Sequence, residues 1–374
     1  MKIIQLIPLM RRAGAESVVS MLSYSLADAG HEVHLIVIGG INEYESDLKG
    51  KNVKVHILNL FYDNLRFFQF IRRSKIKWNL FKLIKEIKPD ILHAHLSDSL
   101  VWAAFSIKKL KIKTFYTNHG LDTMLSDRGL RNWWLRRNFI RSVKITKCHL
   151  LAVSNSVARY IEDNLDLLRG SVLVQNNLID LKRFYPLVRN NEKKKIIEIL
   201  MIGTLYPLKK FDVGIKAMEF LKEIDNLILI IIGDGPERQD LERIANLSCC
   251  SERIEFLGIR KDVPDLLRNA FAVWLLSERE GMPMTVLEAM ASGVPVIATD
   301  VPGINELVQN EVNGLIVPIN DSQTVAEKTK RIIIDAQLRN NLIKCGLETA
   351  KKYSLEIILN QHIKLYMSGK MKNI

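Results

Sequence analysis

The sequence lacks the features that mark a membrane span or a secreted protein. No apolar run approaches the roughly 18 to 20 residues needed to cross a bilayer, and the longest candidate, residues 227–232, is typical of a buried strand. The apolar residues 1–10 are followed, not preceded, by arginines and carry no small-residue cleavage site. We therefore expect a first strand there instead of a signal peptide.

Cysteine is scarce, and metal-binding patterns are missing. The four cysteines have no C-x-x-C spacing, so neither a disulfide framework nor a zinc site is expected, and a reducing cytoplasm fits them. The chain contains no D-x-D, the usual carboxylate pair for a divalent ion on a diphosphate. We predict a site that needs no metal and no cofactor. The cysteines are Cys148, Cys249, Cys250 and Cys345.

The chain is long enough for two domains. Its 374 residues exceed the roughly 250 to 300 at which a single hydrophobic core stops growing. Hydrophobic residues make up 48%, enough for two hydrophobic cores, and charged residues make up 25%, enough to keep both domain surfaces solvated.

The positive charge is concentrated in the first half. Residues 1–180 contain 27 Lys and Arg against 16 Asp and Glu, a net +11, whereas the remainder has 27 against 25. Such asymmetry indicates membrane phosphates, nucleic acid or an anionic substrate as a partner. Nucleic acid is least favoured, because no recognised binding motif accompanies the charge.

Two basic stretches, residues 66–88 and 128–147, carry most of this charge. The second has seven cations and no acid around Trp133 and Trp134. A basic helix with aromatic residues is typical of an interfacial membrane contact. The alternative is a solvated helix face whose Trp residues belong to the core, and the sequence leaves both open.

Apolar strand-like runs alternate with helix-like runs along the chain, which indicates parallel sheets covered on both faces. The alternation falters at the polar, cationic residues 181–195 and then restarts. We predict an α/β protein of two doubly wound, Rossmann-like domains, residues 1–180 and 191–354, facing each other across a cleft that holds the active site. A terminal helix, about residues 355–374, belongs to either domain, and packing back on the N-terminal domain is one arrangement.

Residues 277–303, SEREGMPMTVLEAMASGVPVIATDVPG, carry the clearest chemistry. A loop with Glu280 and Gly281 follows a strand, and a helix begins near Met284, so its free N–H groups suit a phosphate. Glu288 lies a full turn into that helix, about 6 Å from Met284 along the axis. One carboxylate can reach a sugar hydroxyl and the other a ribose. Reading both as ordinary helix charges is disfavoured by the glycines and prolines set around them.

This segment resembles the E-x7-E signature of the retaining family 4 glycosyltransferases, which have the GT-B fold. The resemblance implies that Glu280 contacts the donor sugar and Glu288 the nucleotide ribose. In GTLYPLKK, residues 203–210, Lys209 matches a lysine that neutralises the donor diphosphate. Thr204 stands where the family usually has Arg, and Lys210 is a candidate replacement. A fixed cation stabilises the leaving diphosphate more in the transition state than in the ground state.

Further matches are weaker individually. GDGP resembles the family's Gly-rich turn, LGIRKDVPDLL its nucleobase-pocket segment, and NNLIDLKRFYP the domain-junction sequence, with Leu178 replacing a usual Gly. The resemblance implies a donor-binding set of Gly203, Thr204, Lys210, Gly233, Gly235, Gly258, Gly281, Met282, Pro283, Met284, Thr285 and Glu288.

The N-terminal half offers acceptor-side candidates. Gly14 and Glu16, in MRRAGAE, resemble a Gly-rich loop whose backbone amides contact donor phosphate or acceptor. His119, in YTNHG, matches the family's active-site His near the donor sugar and joins Glu280 and Lys209 as a catalytic candidate. His93 and His95 share one strand face, and cleft lining or packing is favoured over a catalytic role for them. Asp98 is a candidate acceptor contact.

The resemblance implies a retaining, metal-independent, hexosyltransferase-type glycosyltransferase. It would move a sugar from a nucleotide-diphosphate sugar to a saccharide or lipid-linked saccharide, in bacterial surface polysaccharide biosynthesis such as lipopolysaccharide or capsule. We expect a cytoplasmic protein with peripheral contact to an anionic membrane. The alternatives are a nucleotide-sugar epimerase of the same fold and a non-catalytic protein that binds a membrane or a partner.

Overall fold

A computed structural model describes residues 1–59, 69–108, 110–121, 130–187 and 196–368. The chain forms two compact units, Met1–Leu178 with Leu355–Ile374, and Ile179–Ser354. Some residues of the predicted segments lie outside the described ranges. In the two basic stretches these are residues 66–68 and 128–129. The others are residues 188–195, which include the end of the predicted linker and the start of the second predicted domain, and residues 369–374 of the terminal helix.

The first unit is built on a seven-stranded parallel sheet in the order β3-β2-β1-β4-β5-β6-β7. Its strands are rich in Ile, Val and Leu, and most are buried along nearly their whole length because helices cover both faces. The strands are β1 Lys2–Ile7, β2 Glu32–Val37, β3 Val53–Ile57, β4 Ile91–His95, β5 Lys113–Asn118, β6 His149–Ala152 and β7 Leu173–Val174. The helices are α1 Gly14–Asp28, α2 Glu45–Leu48, α3 Gln69–Ile87, α4 Ser97–Ile107, α5 Leu130–Thr146 and α6 Asn155–Asn164.

The second unit repeats this plan with six parallel strands in the order β10-β9-β8-β11-β12-β13. The direction of winding reverses between β8 and β11, the position at which doubly wound sheets bind ligands. The strands are β8 Ile197–Ile202, β9 Leu227–Ile232, β10 Ile254–Gly258, β11 Ala272–Leu275, β12 Val296–Thr299 and β13 Leu315–Val317. The helices are α7 Phe211–Glu219, α8 Arg238–Leu247, α9 Val263–Asn269, α10 Met284–Ala291, α11 Pro302–Asn305, α12 Ser322–Ile334 and α13 Ala336–Lys352.

The last helix, α14 Leu355–Ser368, packs within the first unit. Tyr366 is fully buried there, and its hydroxyl forms hydrogen bonds with Gln5 of β1 and His93 of β4. The Lys113 ammonium donates to the Tyr366 carbonyl oxygen at 2.7 Å and so gives a hydrogen-bond partner to a carbonyl group in the last turn of the helix. The polypeptide therefore completes its first unit with its final described helix.

Residues 181–187, which fall in the predicted linker, make their contacts within the second unit. Phe184 is buried, and the Arg268 guanidinium lies 4.6 Å from the centre of the Tyr185 ring. A Cβ at Gly293 would meet the Pro186 side chain at 2.9 Å. This part of the chain is thus packed rather than extended between units.

Trp133 and Trp134 do not belong to the core. Each is about half exposed, so the interpretation that placed them in the interior is wrong. Within the described ranges, no helix is both long and apolar enough to cross a membrane.

Candidate functional site

An ion pair joins the loops that follow the two central strands of the second unit. After β8, residues Pro207–Lys209 form a single 3₁₀ turn, and after β11 the loop of residues 276–283 leads to α10. The Lys209 ammonium donates to the Glu280 carboxylate at 2.6 Å. The ammonium has three donors, so one bond to Glu280 leaves two for an anion. The pair lies where the winding of the sheet reverses.

The loop that carries Glu280 is held from two sides. The Glu278 amide donates to the Leu208 carbonyl oxygen at 2.8 Å, and the Lys210 ammonium pairs with the Glu278 carboxylate at 2.7 Å. Beneath the loop, a Cβ at Gly303 would overlap the carbonyl oxygen of Glu280, so only glycine permits this approach. The backbone contacts with Leu208 and Gly303 fix the height of Glu280 above the sheet.

The Gly-rich turns after β8, β9 and β10 lie against one another. The Gly233 amide donates to the Gly258 carbonyl oxygen at 2.8 Å, and a Cβ at Gly233, whose φ is +137°, would overlap the Gly203 carbonyl oxygen. A Cβ at Gly235 would lie 2.6 Å from the Leu205 carbonyl oxygen. These glycines are required by close backbone packing. The turns place three predicted donor-binding segments at one edge of the sheet.

Helix α10 begins at Met284, as the sequence predicts, and carries Glu288 in its second turn. Its N-cap, Pro283, provides no side-chain cap, so the first N–H groups of the helix keep their capacity to bind an anion. Burial raises the pKa of Glu288 to about 7, and the positive charge of Arg183 opposes that shift. Glu288 is therefore a partly buried carboxyl group whose ionised form is poorly solvated, and a ligand hydroxyl that donates to it would favour that form.

Substituting Glu288 with Gln is expected to raise thermal stability at pH 8 and leave it nearly unchanged at pH 4.5. The folded chain holds the Glu288 proton up to about pH 7, whereas the ordinary pKa is 4.5, so stability falls as pH rises between these values. Above pH 7 the loss of stability caused by ionising Glu288 is fully present and amounts to at most about 3 kcal/mol. Melting curves of both proteins at the two pH values test this, at roughly 2–4 °C per kcal/mol. An equal difference at both pH values would contradict the assigned cause.

The first unit holds the remaining predicted residues. Gly14 begins α1 and is exposed, Glu16 lies in its first turn with a pKa that burial raises to about 7, and Asp98 is an exposed residue in the first turn of α4. Their roles toward an acceptor stay predictions.

The histidines of β4 and the residue that follows β5 do come together. His93 and His95 are fully buried. The His95 Nδ1 lies 3.0 Å from the His119 Nε2, and the His95 Nε2 lies 2.6 Å from the Gln5 Oε1. Sequence reasoning missed Gln5, although a lone amide inside the apolar strand KIIQLI was a signal for it.

Taken by itself, the second unit is a doubly wound sheet with an ion pair at its switch point, the position at which such sheets bind ligands. Comparison with known families gives the class. Residues 12–183 match the model of Glycosyltransferase Family 4, and residues 187–349 match that of Glycosyl transferases group 1. The chain belongs to the family 4 glycosyltransferases, and it is an enzyme that transfers a sugar.

Characterised relatives match along nearly the whole chain. The N-acetyl-alpha-D-glucosaminyl L-malate synthase of Bacillus anthracis is 27% identical, over 94% of this chain and 93% of its own length. A Campylobacter jejuni enzyme, N,N'-diacetylbacillosaminyl-diphospho-undecaprenol alpha-1,3-N-acetylgalactosaminyltransferase, is also 27% identical, over 91% of this chain and 92% of its own.

Solved structures share the architecture. Anabaena HepE in complex with UDP superposes with a TM-score of 0.82 at 19% identity, covering 98% of this chain and all of that one. The predicted fold class, GT-B with two doubly wound domains, is confirmed by this likeness and by the two parallel sheets.

Proposed function

We propose that this enzyme moves a sugar from a nucleotide-diphosphate donor to a saccharide or lipid-linked saccharide, with retention of configuration, in bacterial surface polysaccharide biosynthesis. The observation that carries the proposal is the Lys209–Glu280 ion pair at the switch point of the second unit. It sets a cation and a carboxylate side by side, as a donor with a charged diphosphate and a polar sugar requires.

In this proposal Lys209 binds the diphosphate while Glu280 binds the sugar. As the glycosidic bond breaks, negative charge grows on the leaving nucleoside diphosphate, and the fixed ammonium stabilises it. The N–H groups at the start of α10 support the same phosphate, and Glu288 accepts from the ribose hydroxyls. No divalent ion enters the scheme, because cation and helix dipole supply the positive charge.

Thr204 leaves the diphosphate with fewer fixed cations than the family pattern supplies. Lys210 follows Lys209 directly and pairs with Glu278 at 2.7 Å, and this bond raises the Lys210 pKa. We propose that Lys210 serves as the second cation once a diphosphate competes for it. Both lysines then lie on the same short segment between β8 and α7.

The relatives support a sugar donor and favour a lipid-linked acceptor. The Campylobacter enzyme is named for an undecaprenol-diphosphate saccharide, whereas the Bacillus enzyme is named for L-malate. The net charge of +11 on residues 1–180 favours the lipid-linked class, whose carrier lies in a membrane with anionic headgroups.

The exposed aromatic side chains of the first unit support a peripheral membrane contact. Trp78 on α3, Phe105 on α4 and Trp133 and Trp134 on α5 are each about half exposed, and α4 packs against both other helices. Cations accompany them: the Lys77 ammonium lies 3.8 Å from the centre of the Phe105 ring. Helix α5 itself has five cations and no acid. Aromatic side chains among cations suit the headgroup region of an anionic bilayer.

Replacing Trp133 and Trp134 together with Ala is expected to weaken binding to phosphatidylglycerol vesicles about tenfold or more, because two indoles lose apolar contact with the bilayer. Vesicle co-sedimentation measures this, and added salt should weaken the wild type further. A matched double variant, Phe220→Ala with Leu247→Ala, removes exposed apolar side chains from the second unit and should bind as the wild type does. Equal binding by both variants would contradict a contact through α5.

The proposed reaction is tested in two stages. Nucleotide sugars are first screened by thermal shift, since a ligand at a hundred times its Kd adds roughly 2.7 kcal/mol of stability. The best donor is then incubated with an undecaprenyl-diphosphate saccharide, with L-malate, or alone, and the anomeric configuration of the product is read by NMR. Transfer with retention to the lipid-linked acceptor supports the proposal. Transfer to L-malate alone, or transfer to the lipid-linked acceptor with inversion, would overturn it.

A further inference from the structure

A chain of buried hydrogen bonds runs from the last helix to His119 in the first unit. The Gln5 amide on β1 is its centre: Oε1 lies 2.6 Å from the His95 Nε2, and the amide nitrogen lies 3.3 Å from the Tyr366 hydroxyl. His95 in turn lies 3.0 Å from the His119 Nε2. Gln5, His95 and Tyr366 are each at most 1% exposed, so solvent cannot supply alternative partners.

The chemistry of these groups gives the chain a direction. An amide oxygen only accepts, so the His95 Nε2 carries a proton and donates to Gln5. The neutral imidazole of His95 then has an acceptor at Nδ1, which takes a hydrogen bond from the His119 Nε2–H. His119 is left as the tautomer whose Nδ1 is an acceptor.

A second branch of the same network runs from Gln5 through Tyr366 to His93. The Tyr366 hydroxyl accepts from the Gln5 amide nitrogen and donates to the His93 Nδ1 at 2.6 Å. The His93 Nε2–H then donates to the Thr117 hydroxyl at 2.7 Å. Reversing the Gln5 amide would reverse every donor along both branches, so the orientation of one side chain sets the tautomers of three histidines.

The Nδ1 of His119 is the open end of the chain. It is buried and has no hydrogen-bond partner among the described residues. Burial lowers the pKa of His119 to about 4, so the ring is neutral near pH 7 and its tautomer decides whether Nδ1 accepts or donates. A buried acceptor without a donor is costly, and a ligand hydroxyl would satisfy it.

We propose that Gln5 and His95 are positioning residues that hold His119 as the Nε2-protonated tautomer, so that its Nδ1 accepts a hydrogen bond from a ligand hydroxyl. That the ligand is a sugar rests on the function proposed above, whereas the tautomer does not. A site built to accept from a hydroxyl also discriminates against sugars that lack it.

The test begins with the free protein, labelled with ¹⁵N at histidine. The spectrum of wild type is expected to show an unprotonated Nδ1 and a protonated Nε2 for His119, assigned by the signals that vanish in a His119→Gln variant. His95→Leu removes the acceptor and should convert His119 to a mixture of tautomers. His362→Leu is the matched control, because His362 is equally buried and its Nδ1 bonds the Ile358 carbonyl oxygen, outside the chain.

Activity provides the second readout. His95→Leu is expected to lower kcat/KM for the donor about tenfold or more, comparable with removing partners that orient metal-bound histidines. The kcat/KM of His362→Leu should stay within about threefold of the wild-type value, even where both variants lose similar stability. A loss of packing alone does not change the His95 Nδ1, which is the acceptor for His119.

Two results would overturn the positioning role. One is a wild-type His119 protonated at Nδ1, which is measurable even where the His95 variant fails to fold. The other is a folded His95→Leu with unchanged tautomer and kcat/KM. A third result would separate the two proposals. If His119 has the predicted tautomer but the protein uses no nucleotide sugar, the proposed function is overturned and the chain of hydrogen bonds is supported.

Discussion

Replacing Glu280 with Gln is expected to lower kcat for sugar transfer by about 10²- to 10³-fold, the cost of removing one preorganised electrostatic group from a reacting centre. Glu280 is nearly buried, with 10% of its side chain exposed, and pairs with Lys209 at 2.6 Å. The substitution keeps its shape but removes the negative charge that we propose faces the sugar as positive charge develops there. Initial rates with saturating donor measure the effect.

Glu278→Gln is the matched control for this variant. It makes the same chemical change two residues away, on a side chain that is 38% exposed and paired with Lys210. Its kcat should stay within a few-fold of the wild type, because exposed ion pairs contribute little. If both variants lose activity equally, the loss reflects the loop as a whole and Glu280 has no special role.

Replacing Lys209 with Met is expected to lower kcat about a hundredfold. The substitution keeps an unbranched side chain but removes the cation proposed to stabilise the leaving diphosphate. Since the charge on that group grows during bond cleavage, kcat should fall more than the donor affinity does. Steady-state kinetics with varied donor separate the two quantities.

Lys216→Met on α7 provides the comparison for Lys209. Lys216 pairs with Asp212 on the helix surface at 3.2 Å, and its loss should change kcat little. A double variant of Lys209 and Glu280 should cost about as much as the worse single variant, because members of one unit are not additive. A full kcat in Lys209→Met would contradict the assignment of the cation.

Both sheets were predictable from the sequence because parallel strands buried on two faces are continuous apolar runs. Strand β9, LILIII, is the clearest example. Residues 309–354 carry weaker signals: β13 has only three residues, and α13 contains Gly346 and two adjacent asparagines, which lower helix propensity. Helix α12 did carry a signal, since Asp321 caps it by accepting from the Thr324 amide at 2.9 Å.

The candidate site residues were likewise predictable from the sequence only in part. Glu280 and Lys209 were found because each lies in a short motif, and the structure joins them although 71 residues separate them. Their catalytic roles stay predictions. Gln5 and Tyr366 could not be found as partners, because they are 361 positions apart in the sequence and nothing local to either indicates the other. Patterns within a segment predict elements, whereas the hydrogen bonds of a buried network require the assembled sheet.

The return of α14 to the first unit has a consequence for biosynthesis. Residues 1–178 leave the ribosome first, but Tyr366 is added only after the whole second unit has been made. At about 5–20 residues per second, that interval is roughly 10 to 35 seconds. The second unit can therefore finish folding before the first one does. A chain halted before Leu355 would carry an N-terminal sheet whose Gln5 and His93 still await their hydroxyl partner.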